Sequence, residues 1–548
     1  MKFKEDSVYF LPLGGSGEIG MNLNLYGYKN RWLMVDCGIT FHDRVGVEVL
    51  MPNISFLQDK LDKLEAIVLT HAHEDHIGAL PYLWEKLGKP QLYATPFTIE
   101  MIRKKMKETG LDFESSLNVI PLKASQKIGD FEIEMVTLTH SIPEPSGIIL
   151  RTPVGNIFHT GDWKIDHAPL IGKPIQDQEL RKIGDQGILA MISDSTNVFH
   201  EGDSGSEETV RDNLDTLIGS YTKGAVFVTC FASNVARLQS IALAGQKHGR
   251  KVVLLGRGFH NINEISQKFG YLKNVGQFTE ARAAGSIARQ KVLYICSGSQ
   301  GESRAALSRI SSGTHPDVKM KEGDVVIFSS RIIPGNEKSI NNLKSKIIKL
   351  GVNVIFKHSE DIHVSGHPSR NDLVKMYEWI RPQTLIPVHG ELIHMVEQGK
   401  LGKKQGIPNI VIPENGTIVE ITKTGATIID EVPTGKLALD GTQLLSFNDP
   451  IFRTRHYLGN DGVLSLSLLL NEENELHEEP DIKKLGLSFD EKTGKDLESL
   501  TLDAFESLSV PQRNDDGNIE NTLKKSLVNF LDRKISKKPL VVVHIIRL

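Results

Sequence analysis

Ala66-Ile67-Val68-Leu69-Thr70 runs directly into His71-Ala72-His73-Glu74-Asp75-His76. The apolar run reads as a buried strand, and the six residues after it carry three histidines and an aspartate that suit a metal. Imidazole nitrogens and carboxylate oxygens are the donors of catalytic zinc sites that keep a position open for water. One ion does not readily take all four side chains from so short a loop. His71 and His73 can turn to one side and Asp75 and His76 to the other, which predicts two neighbouring ions.

Three more apolar runs end in a histidine or aspartate. Phe131 to Leu138 leads to Thr139-His140-Ser141, and Phe158-His159-Thr160-Gly161-Asp162 and Leu385-Ile386-Pro387-Val388-His389-Gly390 close two further strands. Loops at the C-terminal ends of strands are where layered α/β proteins gather a site. The expected donor sets are His71, His73, His140 and Asp162 for one ion and Asp75, His76, Asp162 and His389 for the other. Asp162 is the natural bridge, since a carboxylate has two oxygens.

The pattern His-x-His-x-Asp-His, followed by His140 and Asp162, resembles the metallo-β-lactamase superfamily. Five later segments narrow the resemblance to the β-CASP nucleases: Ser193-Asp194-Ser195-Thr196-Asn197, Phe231-Ala232-Ser233-Asn234, Gly298-Ser299-Gln300-Gly301-Glu302, His363-Val364-Ser365-Gly366-His367 and Pro387-Val388-His389-Gly390-Glu391. In this order and spacing they are similar to the bacterial ribonuclease J family, over nearly the whole chain. Ser303-Arg304 stand where that family would have Pro-Met, and Pro368 where alanine is usual; neither removes a ligand.

The resemblance implies an α/β protein: a metallo-β-lactamase αββα sandwich, an inserted β-CASP domain with a parallel sheet, and a small C-terminal α/β domain. The sequence pattern fits. Period-two strands fill residues 7–70 and 128–160, with helical sequence at Gly78–Leu87 and Thr98–Thr109. From about 208, strands such as Ala225–Thr229 and Lys251–Leu255 alternate with helices such as Asn234–His248 and Asn261–Phe269, the mark of βαβ units. The expected boundaries are 1–207 for the first part of the sandwich, 208–355 for the insert and 356–432 for the return to the sandwich. A linker is expected over 433–461 and a C-terminal domain over 462–548. In that domain Val463–Leu470 and Leu540–Ile546 read as strands, and Glu491–Leu508 and Ile519–Ile535 as helices.

At 548 residues the chain exceeds one core. Its 39% hydrophobic and 24% charged residues are those of a globular protein. A net charge of −4 gives no global signature of nucleic-acid binding, so any phosphate-tracking groove must be locally positive. Arg331 and Lys338 are basic residues available for one. The three cysteines, Cys37, Cys230 and Cys296, lie far apart without a CxxC pair, as expected in a reducing compartment. No signal-peptide core follows Met1, and no apolar stretch approaches the ~20 residues of a membrane span, so a cytoplasmic protein without a membrane role is expected. Gly15-Ser16-Gly17-Glu18-Ile19-Gly20 fits a dinucleotide loop, but period-two sequence follows where a helix is required, so it reads as a turn between strands.

Two Zn²⁺ ions roughly 3.5–4 Å apart can activate a hydroxide and clamp a phosphodiester; Mn²⁺ suits the same donors. By resemblance, His367 stabilises the leaving group or phosphate, and Asp194 supports it. From sequence alone an Asx-turn explains Asp194 equally well. Asp36, closing the strand Leu33 to Val35, is a weaker candidate for the same supporting role. By resemblance again, Phe231, Ala232, Ser233 and Asn234, with His363, Val364, Ser365, Gly366 and His367, form a pocket for a 5′-monophosphate. Ser233 and Asn234 also read simply as helix N-caps. The function so implied is a zinc-dependent ribonuclease with two Zn²⁺ per subunit. It would act as a 5′-to-3′ exonuclease on single-stranded 5′-monophosphate RNA with added endonuclease activity, in mRNA turnover and rRNA maturation. The resemblance also implies a homodimer or homotetramer and RNA-degradation complex partners. The competing readings are a DNA-processing β-CASP nuclease, a lactonase and an inactive RNA-binding scaffold. The presence of His389, the inserted domain and the full set of seven ligands respectively argue against them.

Overall fold

In the strands Val8–Gly14 and Ile188–Asp194 every residue is buried. Each therefore has protein on both faces, which accounts for its nearly unbroken apolar sequence. They belong to two sheets of a computed structural model that describes residues 3–42, 46–356 and 361–548, so that Met1 and Lys2 lie outside the described residues. The first sheet has eight strands, ordered Gly425–Glu431, Thr417–Thr422, Val8–Gly14, Leu23–Tyr28, Arg31–Val35, Leu64–Val68, Gln91–Ala94 and Leu117–Val119. The second has seven, ordered Ser125–Ile128, Phe131–Thr137, Ser146–Thr152, Gly155–His159, Ile188–Asp194, Thr384–Val388 and Asn409–Ile410. Phe10, Val35 and Val68 from one sheet share a core with Ile133, Ile148, Ile192 and Val388 from the other. Leu180 and Ile183 of the helix Asp177–Asp185 and Leu373, Met376 and Ile380 of Arg370–Ile380 cover the second sheet's outer face. This is the expected αββα sandwich.

The insert holds five parallel strands, ordered Lys251–Leu255, Val292–Cys296, Val226–Thr229, Val325–Phe328 and Asn353–Ile355. The helix expected over Asn234–His248 runs from Val235 to Lys247, with the Asn234 side chain accepting the Arg237 N–H as its N-cap. The expected Gly78–Leu87 helix is shorter, Leu80–Leu83, because Gly78 ends the preceding turn Glu74–Ile77.

Contacts divide the chain into two units, one of residues 1–40 and 50–436, the other of 41–49 and 437–548. In the second unit Leu464, Leu466, Leu468 and Leu470 alternate toward one face of the strand Val463–Leu470. Ile519, Leu523, Leu527 and Leu531 line one side of the helix Asp516–Ile535 at a spacing of four and share that core. A third strand, Asp481–Leu485, is too polar to announce itself in sequence. Residues 433–461, expected as a linker, are mostly regular. Lys436–Asp440 and Gln443–Ser446 form a hairpin, and Pro450–Asp461 is a helix started by Asp449, whose side chain accepts the Ile451 N–H. The glycine-rich Gly15–Gly20 segment leads into the strand Leu23–Tyr28, as its period-two continuation requires, and Ser16–Gly17 pairs in parallel with Gly390–Glu391.

The topology sets the site. Ile188–Asp194 and Thr384–Val388 pair in parallel with Asp194 opposite Val388, so Asp194 and His389 emerge side by side. The strand Gly155–His159 flanks them, and Leu64–Val68 of the facing sheet ends at the hexad.

Candidate metal centre

His73 precedes the single helical turn Glu74–Ile77, from which Asp75 and His76 join one donor set while His71 and His73 join the other. Glu74 points elsewhere and accepts from Lys105 at 2.8 Å. His73 Nδ1 lies 3.1 Å from both His71 Nε2 and His140 Nε2. Asp162 Oδ2 is 3.8 Å from His71 Nε2 and 3.7 Å from His140 Nε2. On the other side, His389 Nε2 is 3.1 Å from Asp75 Oδ2 and 3.4 Å from Asp162 Oδ1, and His76 Nε2 is 3.3 Å from Asp162 Oδ2. Each of the two donor sets lies within 4.8 Å, and Asp162 belongs to both.

This arrangement fits a pair of cations. Asp162 Oδ1 is buried without a hydrogen-bond partner among the described residues, a costly state for a carboxylate oxygen unless a cation faces it. Burial, reinforced by neighbouring imidazoles, holds His71 and His140 well below the ordinary histidine pKa and brings His73 to about 4. All three are thus neutral and offer lone pairs. Burial opposes the charge on His76 and His389 as well, but Asp162 and Asp75 outweigh it, lifting His389 to about 9.

Four of the five histidines have their second ring nitrogen held. His76 Nδ1 is 2.7 Å from Asp36 Oδ2. His71 Nδ1 meets Thr70 Oγ1 at 3.0 Å, and that hydroxyl donates to Asp36. His140 Nδ1 donates to the Gly366 carbonyl at 2.6 Å. His389 Nδ1 meets Thr196 Oγ1 at 3.0 Å, and the His389 N–H donates to the Gly15 carbonyl at 2.6 Å. Such partners fix the tautomer and ring orientation of a metal ligand.

His367 Nδ1 lies 2.8 Å from Asp194 Oδ2 and 3.8 Å from Asp162 Oδ2. Burial opposes its protonation, but Asp194 and Asp162 outweigh that and raise its pKa above the ordinary value. Asp194 Oδ1 accepts the Thr196 N–H at 2.9 Å. The Asx-turn and the histidine partnership, posed by the sequence as alternatives, are therefore both present, one on each oxygen.

The segments read as a phosphate pocket meet through Arg237. Its guanidinium pairs with Glu207 at 2.9 Å and donates to the Ser329 carbonyl at 2.8 Å and the Ile362 carbonyl at 3.3 Å, just before His363. Asn234, besides capping its helix, donates to Glu207 at 3.0 Å. Both of its polar atoms are engaged, whereas the Ser233 hydroxyl makes no hydrogen bond among the described residues. Phe231 and Ala232 are half-buried beside it. Val364 packs near Gly205. Ser365 Oγ accepts from Asn197 at 2.6 Å and from the His367 N–H at 3.2 Å. Both ring nitrogens of His363 are buried without partners among the described residues, and burial, with Arg237 nearby, brings its pKa to about 3. Gly366 is glycine for want of space: a Cβ there would stand 2.6 Å from His140 Cε1. Arg331 reaches Asn197, and Gln300 of the Gly298–Glu302 motif holds the Arg331 carbonyl at 2.7 Å. Lys338 is exposed in the first turn of the helix Glu337–Lys349 and makes no hydrogen bond or ion pair with these residues among the described residues.

Thr70, Thr196, Gly15 and Asn197 were not singled out by the sequence. Their work is done by one hydroxyl, carbonyl or amide each, in types common in any turn, and only adjacency to ligand motifs marked them.

Comparison with known proteins follows the same layout. The beta-lactamase superfamily domain matches residues 31–180, the ribonuclease J beta-CASP domain 223–347, the Zn-dependent metallo-hydrolase RNA specificity domain 335–413 and the ribonuclease J C-terminal domain 450–548. The ribonuclease J of Sinorhizobium meliloti is 39% identical over 557 aligned positions, covering 99% of this chain and 98% of that one. Ribonuclease J 1 of Streptococcus pyogenes is 34% identical, covering 99% and 98%. Ribonuclease J of Helicobacter pylori is 33% identical, covering 98% and 79%. A solved protein of unknown function from Enterococcus faecalis shares the fold at a TM-score of 0.52 and 15% identity, over 76% of this chain and all of that one.

Proposed function

This chain belongs to the ribonuclease J family, and from that premise we propose that it hydrolyses RNA phosphodiesters at the Asp162-centred site. Its substrate is single-stranded RNA, trimmed 5′ to 3′ from a 5′-monophosphate end, with endonucleolytic cuts as a second mode, in mRNA turnover and rRNA maturation. The observation that carries this reading is the pair of donor sets sharing Asp162, with the His367–Asp194 pair 3.8 Å from the shared carboxylate.

Two Zn²⁺ or Mn²⁺ ions, held by these donors, would supply Lewis acidity and an acidified water near pH 7. The chain's own groups do the rest. Asp36, Thr70, Thr196 and Gly366 hold four imidazoles in one tautomer and orientation. Asp194 accepts the Nδ1 proton of His367, which leaves the Nε2 proton for the departing 3′-oxygen as the P–O3′ bond breaks. The unpartnered His363 ring, Ser233 and the N-terminus of helix Val235–Lys247 offer donors to a terminal phosphate. A phosphate anchored there sets the scissile bond at a fixed distance from the metals. A homodimer or homotetramer, a cytoplasmic location and association with RNA-degradation complex proteins complete the proposal.

The test is metal-dependent cleavage of one RNA bearing either a 5′-monophosphate or a 5′-triphosphate, by wild type and by His76→Ala. Mononucleotides released from the monophosphate form by wild type alone are expected. Internal cuts regardless of the 5′ end would discard the pocket while keeping the centre. No cleavage with either metal would overturn the ribonuclease reading and turn attention to DNA.

A further inference from the structure

Two residues past Asn197, the Phe199 side chain is half exposed, at 50%. Its ring meets the His394 ring edge-on, 5.3 Å between centroids. The two rings come from segments that adjoin the site. Phe199 follows the Asp194–Asn197 turn, which holds His367 and Ser365. His394 lies in the first turns of helix Leu392–Lys404, which begins three residues after His389. Arg331 lies close by, an exposed residue whose guanidinium is partly buried against Asn197, with no ion pair among the described residues. Ile332 and Ile333, at 38% and 46%, extend this exposed apolar surface beyond it. The metal chemistry uses neither the exposed phenyl ring nor the guanidinium near it.

We propose that Phe199 and His394 form a stacking site for a nucleobase of single-stranded RNA at the rim of the metal centre, with Arg331 as the cation for an adjoining phosphate. The inference rests on the ribonuclease reading of the site and adds a base-contacting element to it. Single-stranded nucleic acids are held by this pairing of π-faces with cationic side chains, and stacking serves any base. His394 suits the role as a neutral ring. Burial, with the charge of Arg331, lowers its pKa, and its Nδ1 is buried without a partner among the described residues. Asn197 spans the two parts of the site, since its amide nitrogen bonds Ser365 and its oxygen takes Arg331. A strand whose phosphate reaches His367 thus passes Arg331 and the aromatic pair.

The test needs no catalysis. The 548-residue chain is held in EDTA and titrated with a single-stranded oligoribonucleotide carrying 2-aminopurine at each of its first six positions in turn, and with an abasic oligomer of equal length. Wild type is expected to quench one position on binding and to bind the base-bearing oligomer roughly tenfold more tightly than the abasic one. Phe199→Ala should abolish both the quench and the preference, Phe199→Trp should restore them, and Arg331→Gln should weaken both oligomers alike. Equal affinity of wild type for the two oligomers, or a quench that survives Phe199→Ala, would overturn the stacking site. Failure of the ribonuclease reading shows separately, as intact RNA when metal is restored to a protein that still displays the quench.

Discussion

Thr196 Oγ1 sits 3.0 Å from His389 Nδ1 and donates its own proton to the carbonyl of the same histidine at 2.8 Å. One threonine thus fixes both ring and backbone of a residue held at the uncommon φ of +52°. Its amide donates at the same time to Asp194, the carboxylate that orients His367. Thr196→Val, which removes the hydroxyl at constant shape, should weaken metal binding about 10–100-fold, the usual cost of losing a ligand's outer partner. Thr196→Ser should keep it. Metal content after dialysis against graded chelator decides.

Asp194→Asn and His367→Ala should leave metal content near wild type and lower kcat by about 10²–10⁴, the range for a positioned proton donor. The double variant should be no worse than either single one, because the two side chains act as a unit. Additive losses would separate them.

Asp36 accepts from Thr70 N at 2.8 Å, from Thr70 Oγ1 at 3.0 Å and from His76 at 2.7 Å, fully buried. Asp36→Asn replaces one acceptor oxygen with a donor against these. The expected outcome is a folded protein with roughly 10–100-fold weaker metal affinity, read by calorimetric titration of the chelated protein. Unchanged affinity would mean that Thr70 alone orients His71 and His76.

Gly366→Ala puts a methyl 2.6 Å from His140 Cε1 and 2.8 Å from Nδ1. The ring must swing, so the donor set with His71 and His73 should be lost before the one with His389. Metal content should fall toward one ion per chain, measured by plasma mass spectrometry, while the thermal midpoint moves by only a few degrees.

Glu207 and Arg237 are an almost fully buried ion pair. Burial alone would raise the Glu207 pKa, but Arg237 and Lys164 outweigh it and hold it below the ordinary carboxylate value. The carboxylate therefore adds stability above the unfolded-state value near 4.3, lost as the pH falls through its depressed folded value. Glu207→Gln should cost about 3–5 kcal/mol at pH 7, since it leaves a buried guanidinium unpaired, and the deficit should narrow toward pH 3 in urea unfolding. Glu207→Leu with Arg237→Met should cost less than Glu207→Gln alone.

The donor sets were legible because metal chemistry admits few residue types and because strands carry their loops to one edge. Asp162 is recognisable as a bridge from its two oxygens alone. Asp194 shows where reading stops. Its sequence offered a turn or a functional contact, and only coordinates reveal that a carboxylate has room for both. Gly366 was read as part of a phosphate pocket, whereas the structure also makes it clearance for the His140 ring. The hairpin and helix within 433–461 escaped notice because their stabilising contacts are few and half-exposed, leaving little hydrophobic periodicity to find.

Arg237 grips Glu207, near where the chain enters the inserted sheet, and Ile362, near where it returns. Both crossings meet at one side chain, and Tyr271, which donates to Glu144, and Lys268, which pairs with Glu100, tie the insert to the sandwich elsewhere. Heat or denaturant should take the sandwich and the five-stranded sheet down in one cooperative step. Because the ties are several, Arg237→Met should lower the midpoint of that step without dividing it.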